Sequence, residues 1–326
     1  MLLVSVDQTS LPYSRELCFA GAMCNVRSNS SELLRSLELL SISTEVTRIS
    51  QFTMRVVVDE SSDEAAVEPH FRGLHHVVTA SFGRSNVFVF DVLRRTLSAS
   101  VSGVVARDHR FWKERLIPIA LGVLGAAMGL VPVHCACLDS EGDGLLIAGA
   151  SGAGKSTLSV ALSEAGFNYV SDDWTYVSQR PDGLVAHGTS APVKLLPDAV
   201  KHFRNLTNHQ LRISMNGELA YEVDAAEVFG ARVERECEPR WLVFLERVQY
   251  PGSDFTPVAP ATTQGYVSSS VERLPEQLYE AAALREQTVE RVAMLPCWRF
   301  RYGGTPQFAA QQLREFVSQR KPAVCI

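Results

Sequence analysis

The sequence predicts an α/β domain preceded by a small α+β domain, and three observations carry that prediction. Gly149 to Thr157 reads Gly-Ala-Ser-Gly-Ala-Gly-Lys-Ser-Thr, a complete phosphate-loop pattern. The loop lies between a short apolar run, Gly144-Leu-Leu-Ile-Ala148, suited to a buried parallel strand, and a segment, Ser156 to Ala165, that can continue as a helix. Ahead of it, from Val4 to about Ala106, short β-type runs alternate with polar turns. Residues 1–107 are therefore expected to form the small α+β domain. Residues 108–326 follow the order helix, strand, loop, helix, strand of a P-loop-containing nucleotide-binding domain.

In the first domain the expected strands are Thr53 to Asp59, His75 to Ala80, Asn86 to Asp91 and Thr96 to Val101. Leu33, Leu34, Leu37 and Leu40 recur at helical spacing, so Ser30 to Leu40 is expected to be a helix. The acidic stretch Asp59 to Glu68 reads as a solvated loop. No linker, low-complexity tract or internal repeat marks the domain boundary. At the other end Phe308, Leu313 and Phe316 predict a helix near Thr305 to Arg320, covering the sheet.

With 326 residues and 46% hydrophobic content the chain can build at least one large core. A net charge of −5 gives no chain-wide reason to expect nucleic acid or an anionic membrane as a partner. Seven scattered cysteines are too dilute for a disulfide scaffold and point to a reducing compartment. With no secretory pattern at the N-terminus, a cytoplasmic protein is expected. Leu116 to Val133 is apolar throughout and reaches the minimum length for a membrane span. Pro118, Pro132, Gly122, Gly125 and Gly129 interrupt it, so a buried core helix is the expectation, with Gly125 and Gly129 allowing close packing.

The loop pattern specifies chemistry as well as fold. Gly149, Gly152 and Gly154 let backbone N–H groups turn inward around an anion, with Ala150, Ser151 and Ala153 as the intervening loop residues and Thr157 closing the motif. The following helix adds its positive N-terminal end. Lys155 is expected to reach the terminal phosphates of ATP, and Ser156 to ligate Mg2+. Beyond the helix, Phe167-Asn-Tyr-Val-Ser-Asp-Asp-Trp174 is an apolar strand ending in two adjacent carboxylates. Ligands in open α/β sheets lie beyond the carboxyl ends of strands, so Asp172 and Asp173 should face the phosphates. One can hold the metal and the other can accept a proton from an attacking hydroxyl. His134 precedes the strand that leads toward the loop and is a candidate site residue. Cys135 and Cys137 share a strand face, but no second Cys/His pair at zinc spacing accompanies them, so core packing is expected.

From His134 through Asp173 the order and spacing resemble the HPr kinase/phosphorylase family: histidine before the strand, the run into Gly-x-Ser-Gly-x-Gly-Lys-Ser, a helix ending at Gly166, and a strand closing in Asp-Asp. The segment is also similar to ATP-dependent phosphoenolpyruvate carboxykinase, whose nucleotide-binding core has a related fold. The resemblance implies an HPr kinase/carboxykinase-like domain in which Lys155 and Ser156 contact phosphate and magnesium, Asp172 and Asp173 supply base and metal ligand, and His134 sits beside the phosphates. The Glu-x-Arg-Gly-Leu-Gly signature is absent downstream, as are the substrate motifs of a carboxykinase. The chain thus looks like HPr-kinase-like proteins with a different N-terminal domain, including kinases found beside ribosomally made peptide pathways.

The expected activity is an ATP-dependent serine kinase that transfers the γ-phosphoryl group to a hydroxyl of a peptide or protein. Mg2+ is assigned to Ser156 and Asp173, and proton acceptance to Asp172, although the two acids are interchangeable at this level. Lys194, Arg240 and Arg247 are candidates for a second cation on the moving phosphoryl group. A nucleotide-dependent regulator with little turnover and a small-molecule kinase are the alternatives, and a homo-oligomer is left open.

Overall fold

The computed structural model describes residues 10–41, 50–181, 183–189, 191–214, 217–269 and 278–320. In chain order the strands are β1 (Tyr13–Phe19), β2 (Ala22–Ser28), β3 (Ser50–Asp59), β4 (His70–Leu74), β5 (Val77–Ser81), β6 (Val87–Asp91), β7 (Thr96–Ser102), β8 (Val131–Val133), β9 (Ala136–Ser140), β10 (Asp143–Ala148), β11 (Asn168–Ser171), β12 (Thr175–Arg180), β13 (Gly183–His187), β14 (Val193–Leu195), β15 (Arg212–Ile213), β16 (Leu219–Val223), β17 (Glu236–Arg247), β18 (Gly252–Pro257) and β19 (Cys297–Gly303). The α-helices are α1 (Ser31–Glu38), α2 (Gly103–Arg107), α3 (His109–Phe111), α4 (Ile117–Leu124), α5 (Lys155–Glu164), α6 (Ala225–Phe229), α7 (Pro260–Ser269), α8 (Tyr279–Ala293) and α9 (Pro306–Ser318). The protein is mixed α/β with several sheets. It divides into two compact units, residues 1–132 with 271–289 and residues 133–270 with 290–326.

The first unit is built on a seven-stranded sheet in the order β1-β2-β3-β7-β6-β5-β4. β2, β3 and β7 run parallel and the remaining pairs are antiparallel. Strict alternation places Phe88 and Phe90 of β6 inward, where Phe88 meets Phe82, Phe111 and Trp112 in edge-on and tilted contacts. α1 begins where Ser30 accepts a hydrogen bond from the Leu33 amide at 3.3 Å, and it buries Leu33, Leu34 and Leu37 as their spacing predicts. The β1–β2 hairpin and β4 were not among the expected strands. The acidic stretch is a loop, but it is tied down: the Glu64 carboxylate accepts the Arg84 and Ser85 amides at 2.9 and 2.6 Å.

The apolar stretch is not one continuous helix. A π-type turn, Trp112–Leu116, opens into α4, which has Pro118 in its first turn, and a 3-10 turn, Gly125–Met128, ends at Gly129 with φ of 70°. A Cβ on Gly125 would meet the Leu130 carbonyl at 2.9 Å. Gly125 therefore serves a tight chain reversal, whereas Gly129 also allows the close packing expected of it, since a Cβ there would lie 3.0 Å from a Leu284 methyl of α8. Among the described residues no helix is long and apolar enough to cross a membrane.

In the second unit β10, β17 and β19 are parallel, while β9 is antiparallel to both β10 and β11. It follows that β10 and β11 point the same way and finish at one sheet edge. The long β17 pairs with β13 through its first residues and with β19 through its last. β12 and β18 also belong to this sheet, and β14, β16 and β15 form a small separate one. α5 and α9 cover one face, enclosing Leu145, Ile147, Leu158, Val243, Phe300 and Leu313. In α9, Leu313 and Phe316 are buried as expected, but Phe308 is on the exposed side.

Candidate functional site

β10 ends at Ala148, and the next residues form the glycine loop that enters α5. Two of its glycines are required by geometry. Gly149 has φ of 154°, and a Cβ there would lie 2.9 Å from the Leu245 carbonyl of β17. Gly154 has φ of 95°, forms the N-cap of α5, and faces the Tyr302 hydroxyl, 3.2 Å from where a Cβ would stand. No side chain caps α5 and its first turn holds no acid, so its leading N–H groups are left for an anion.

Lys155 is 8% exposed, and its Nζ donates to the carbonyls of Gly149 at 3.0 Å and Ala150 at 3.4 Å. The ammonium is thus held against the loop it follows.

β11 delivers the two acids into contrasting surroundings. Asp172 is 6% exposed, and its Oδ1 is buried with no well-formed hydrogen bond. Its Oδ2 accepts the Lys194 amide at 3.4 Å. Burial pushes its pKa up to about 6, against the hydrogen bond from the Ser156 hydroxyl. The Asp173 charge adds to the rise, and the Lys194 amide and Lys155 charge reduce it. Asp173 is more open, its side chain 55% exposed, with a left-handed backbone at φ of 68°. Its Oδ1 lies 2.9 Å from His134 Nε2. Partial burial would raise its pKa, but the hydrogen bond and charge of His134, with Lys155 and Lys194, outweigh burial and hold the carboxyl below its ordinary value.

His134 also meets Trp174 with the rings tilted by 30° and 5.2 Å between centroids, and Trp174 leaves 38% of its surface exposed beside the acids. Behind them Ser171 and Thr175 share a hydrogen bond of 2.6 Å, and Thr175 donates to the Cys135 carbonyl at 2.9 Å. These bonds set the turn that separates Asp172 from Asp173.

The fold therefore brings together the glycine loop, Lys155, Ser156, Asp172, Asp173 and His134. The three cation candidates divide. Arg247 ends β17, which is parallel to β10, and so stands at the same edge as the loop. Arg240 lies toward the start of that strand and pairs with Asp143 and Glu238, away from the loop. The Lys194 ammonium pairs with Glu218, while its backbone N–H serves Asp172. Cys135 and Cys137 are buried, burial pushing the Cys135 thiol up to about 12, and Cys137 Sγ lies 3.4 Å from Cys237 Sγ. Among the described residues no group of three or more His, Cys, Asp or Glu side chains could hold a metal by itself. Sequence reasoning missed Tyr266 of α7, whose hydroxyl donates to the His134 carbonyl at 2.8 Å. Nothing local to it carries a signal, because its partners lie more than a hundred residues away.

No family model matches the chain, and no curated protein matches it. Among solved structures it is similar to the Hpr(Ser) kinase/phosphatase from Coxiella burnetii, with 15% identity and a TM-score of 0.32, over 59% of this chain and 99% of that one.

Proposed function

We propose that this protein is an ATP-dependent kinase that transfers the γ-phosphoryl group to a hydroxyl, with serine in a peptide or protein as the acceptor. The observation that carries the reading is the convergence of an uncapped helix start, a buried lysine and two dissimilar carboxylates at one sheet edge. An anion-binding cradle alone fits many activities. A buried carboxylate that has an oxygen without a well-formed hydrogen bond, and that touches Ser156, fits a cation in addition.

The residues present fit ATP and Mg2+. Gly149 and Gly154 leave room that a side chain would fill, and magnesium is usually held by one or two carboxylates with substrate phosphates completing its shell. Ser156 and Asp172 would hold the metal, which neutralises charge on the transferring phosphates when bound. This reverses the expectation that gave the metal to Asp173, and contact between Ser156 and Asp172 supports the reversal. Asp173, open to solvent and bonded to His134, is the acid that an acceptor hydroxyl can reach. Lys155 exchanges its loop carbonyls for phosphate oxygens, and Arg247 is the cation at the acceptor edge. Trp174 offers an exposed aromatic face against which the acceptor chain rests.

The test combines labelled ATP with a serine-containing peptide library and follows label on the peptide. Transfer that fails in Asp173→Asn while Mg·ATP binding persists supports the reading. Saturable binding without transfer or hydrolysis would replace it with a nucleotide-dependent regulator, and label on metabolites alone with a small-molecule kinase.

A further inference from the structure

We infer that Tyr266 is a positioning residue that ties the glycine loop to the His134–Asp173 pair. This inference rests on the function proposed above and assigns a part to an element, α7, outside the loop and acid segment. The Tyr266 hydroxyl stands between two pieces of backbone. It donates to the His134 carbonyl at 2.8 Å and lies 3.5 Å from the Gly149 amide, for which it is the acceptor. One oxygen thus reaches both the first residue of the loop and the residue whose imidazole holds Asp173.

The ring that carries this hydroxyl is itself held. Tyr266 meets Phe244 edge-on, centroids 4.9 Å apart at 81°, and Phe244 is the β17 partner of Ala148, the residue before the loop. The aromatic contact therefore registers α7 against the end of β10. Partial burial raises the Tyr266 pKa, against the Gly149 amide, with Cys135 and the Asp173 charge adding to the rise, so the hydroxyl stays protonated and remains a donor to His134.

Without that bond the His134 carbonyl loses a fixed partner, and the segment between β8 and β9 gains freedom. The imidazole moves with its backbone. Asp173 would then lose the geometry of its 2.9 Å contact, while Lys155 keeps its bonds to the loop carbonyls and the loop gives up only the long 3.5 Å bond from the Gly149 amide. Tyr266 should accordingly matter to transfer and little to nucleotide affinity, the pattern of a group acting through another.

Tyr266→Phe removes only the oxygen and keeps the ring against Phe244. In the full-length protein, kcat for peptide phosphorylation should fall by about tenfold, below the roughly 10²-fold loss that a misplacement of about 1 Å can cause. The dissociation constant for Mg·ATP should stay within about twofold, because the loop amides and Lys155 supply it. A second readout is independent of turnover. In protein labelled with 15N-histidine, the hydrogen-bonded imidazole N–H resonance of His134, identified by its loss in Asp173→Asn, should broaden or vanish in Tyr266→Phe. A variant that keeps this resonance and retains wild-type kcat would overturn the inference. If the wild-type protein transfers no phosphoryl group, the proposed function fails, and the His134 resonance still decides whether Tyr266 holds that histidine.

Discussion

Replacing Asp172 by asparagine should stabilise the nucleotide-free protein, increasingly so as pH rises. The physical source is the carboxyl's surroundings. Its ordinary pKa of 3.8 is raised to about 6 in the folded protein, chiefly by burial, so the fold favours its protonated form. A group whose folded pKa is raised contributes stability that is fully present below about pH 4 and is lost as pH climbs through about 6. At about 1.4 kcal/mol for each pKa unit, ionisation of Asp172 costs the fold about 3 kcal/mol at neutral pH. Asparagine keeps the shape and carries no charge, so that loss disappears in the variant. Any change in hydrogen bonding or in attraction to Lys155 adds an offset, and the slope with pH belongs to the carboxyl. The assay is denaturant unfolding of wild type and Asp172→Asn between about pH 4 and about pH 7, with a chelator and no nucleotide. The stability difference should move toward the variant by about 3 kcal/mol across that interval and level off above it. A difference that does not change with pH would show that Asp172 is not held in a charge-averse site, and the case for a cation beside Ser156 would lose its main support.

The remaining expectations concern the loop and its neighbours. Lys155→Ala should abolish transfer or sharply weaken ATP binding, read by calorimetric titration, and a wild-type affinity and turnover would remove the anion-binding reading. Asp173→Asn should slow transfer by about 10² to 10⁴-fold while Mg·ATP still binds, whereas Asp172→Asn should also raise the magnesium requirement; equal magnesium dependence in the two would refute the division of roles. Gly149→Ala sets a Cβ 2.9 Å from the Leu245 carbonyl in a left-handed backbone and should cost about 1–3 kcal/mol together with nucleotide binding, measured by thermal unfolding with and without ATP. Gly122→Ala, in α4 with open space at its Cβ, should instead raise stability by about 0.5–1 kcal/mol.

The elements that could be read from residues are those with local causes. Helix α1 follows from a serine cap and leucines at helical spacing, and β6 from the β-branched and aromatic run Val87-Phe-Val-Phe90. The turn into α5 follows from glycines that tolerate left-handed backbone, so the strand–loop–helix unit was legible by itself. Asp172 and Asp173 were legible as the end of a strand, because an apolar run closing in carboxylates has few other uses.

Tertiary structure decided what depends on partners distant in sequence. Two adjacent aspartates differ in pKa direction because one is buried beside Ser156 and the Lys194 amide while the other faces His134. No local pattern states which side of a turn meets solvent. The contrast between Arg240 and Arg247 required the direction of β17 relative to β10, which hydrogen-bond register sets and composition does not. The apolar run that reached membrane-span length became a π-type turn, a short helix and a tight reversal, because prolines and glycines act through backbone geometry that a hydropathy sum ignores. Tyr266 joins the site from 132 residues beyond His134, and only folding makes them neighbours. The sequence by itself determined the chemical groups available and the local turns that present them. The environment that gives each group its charge state, and the edge at which each is displayed, came from long-range packing, since burial and field are properties of all the neighbours at once.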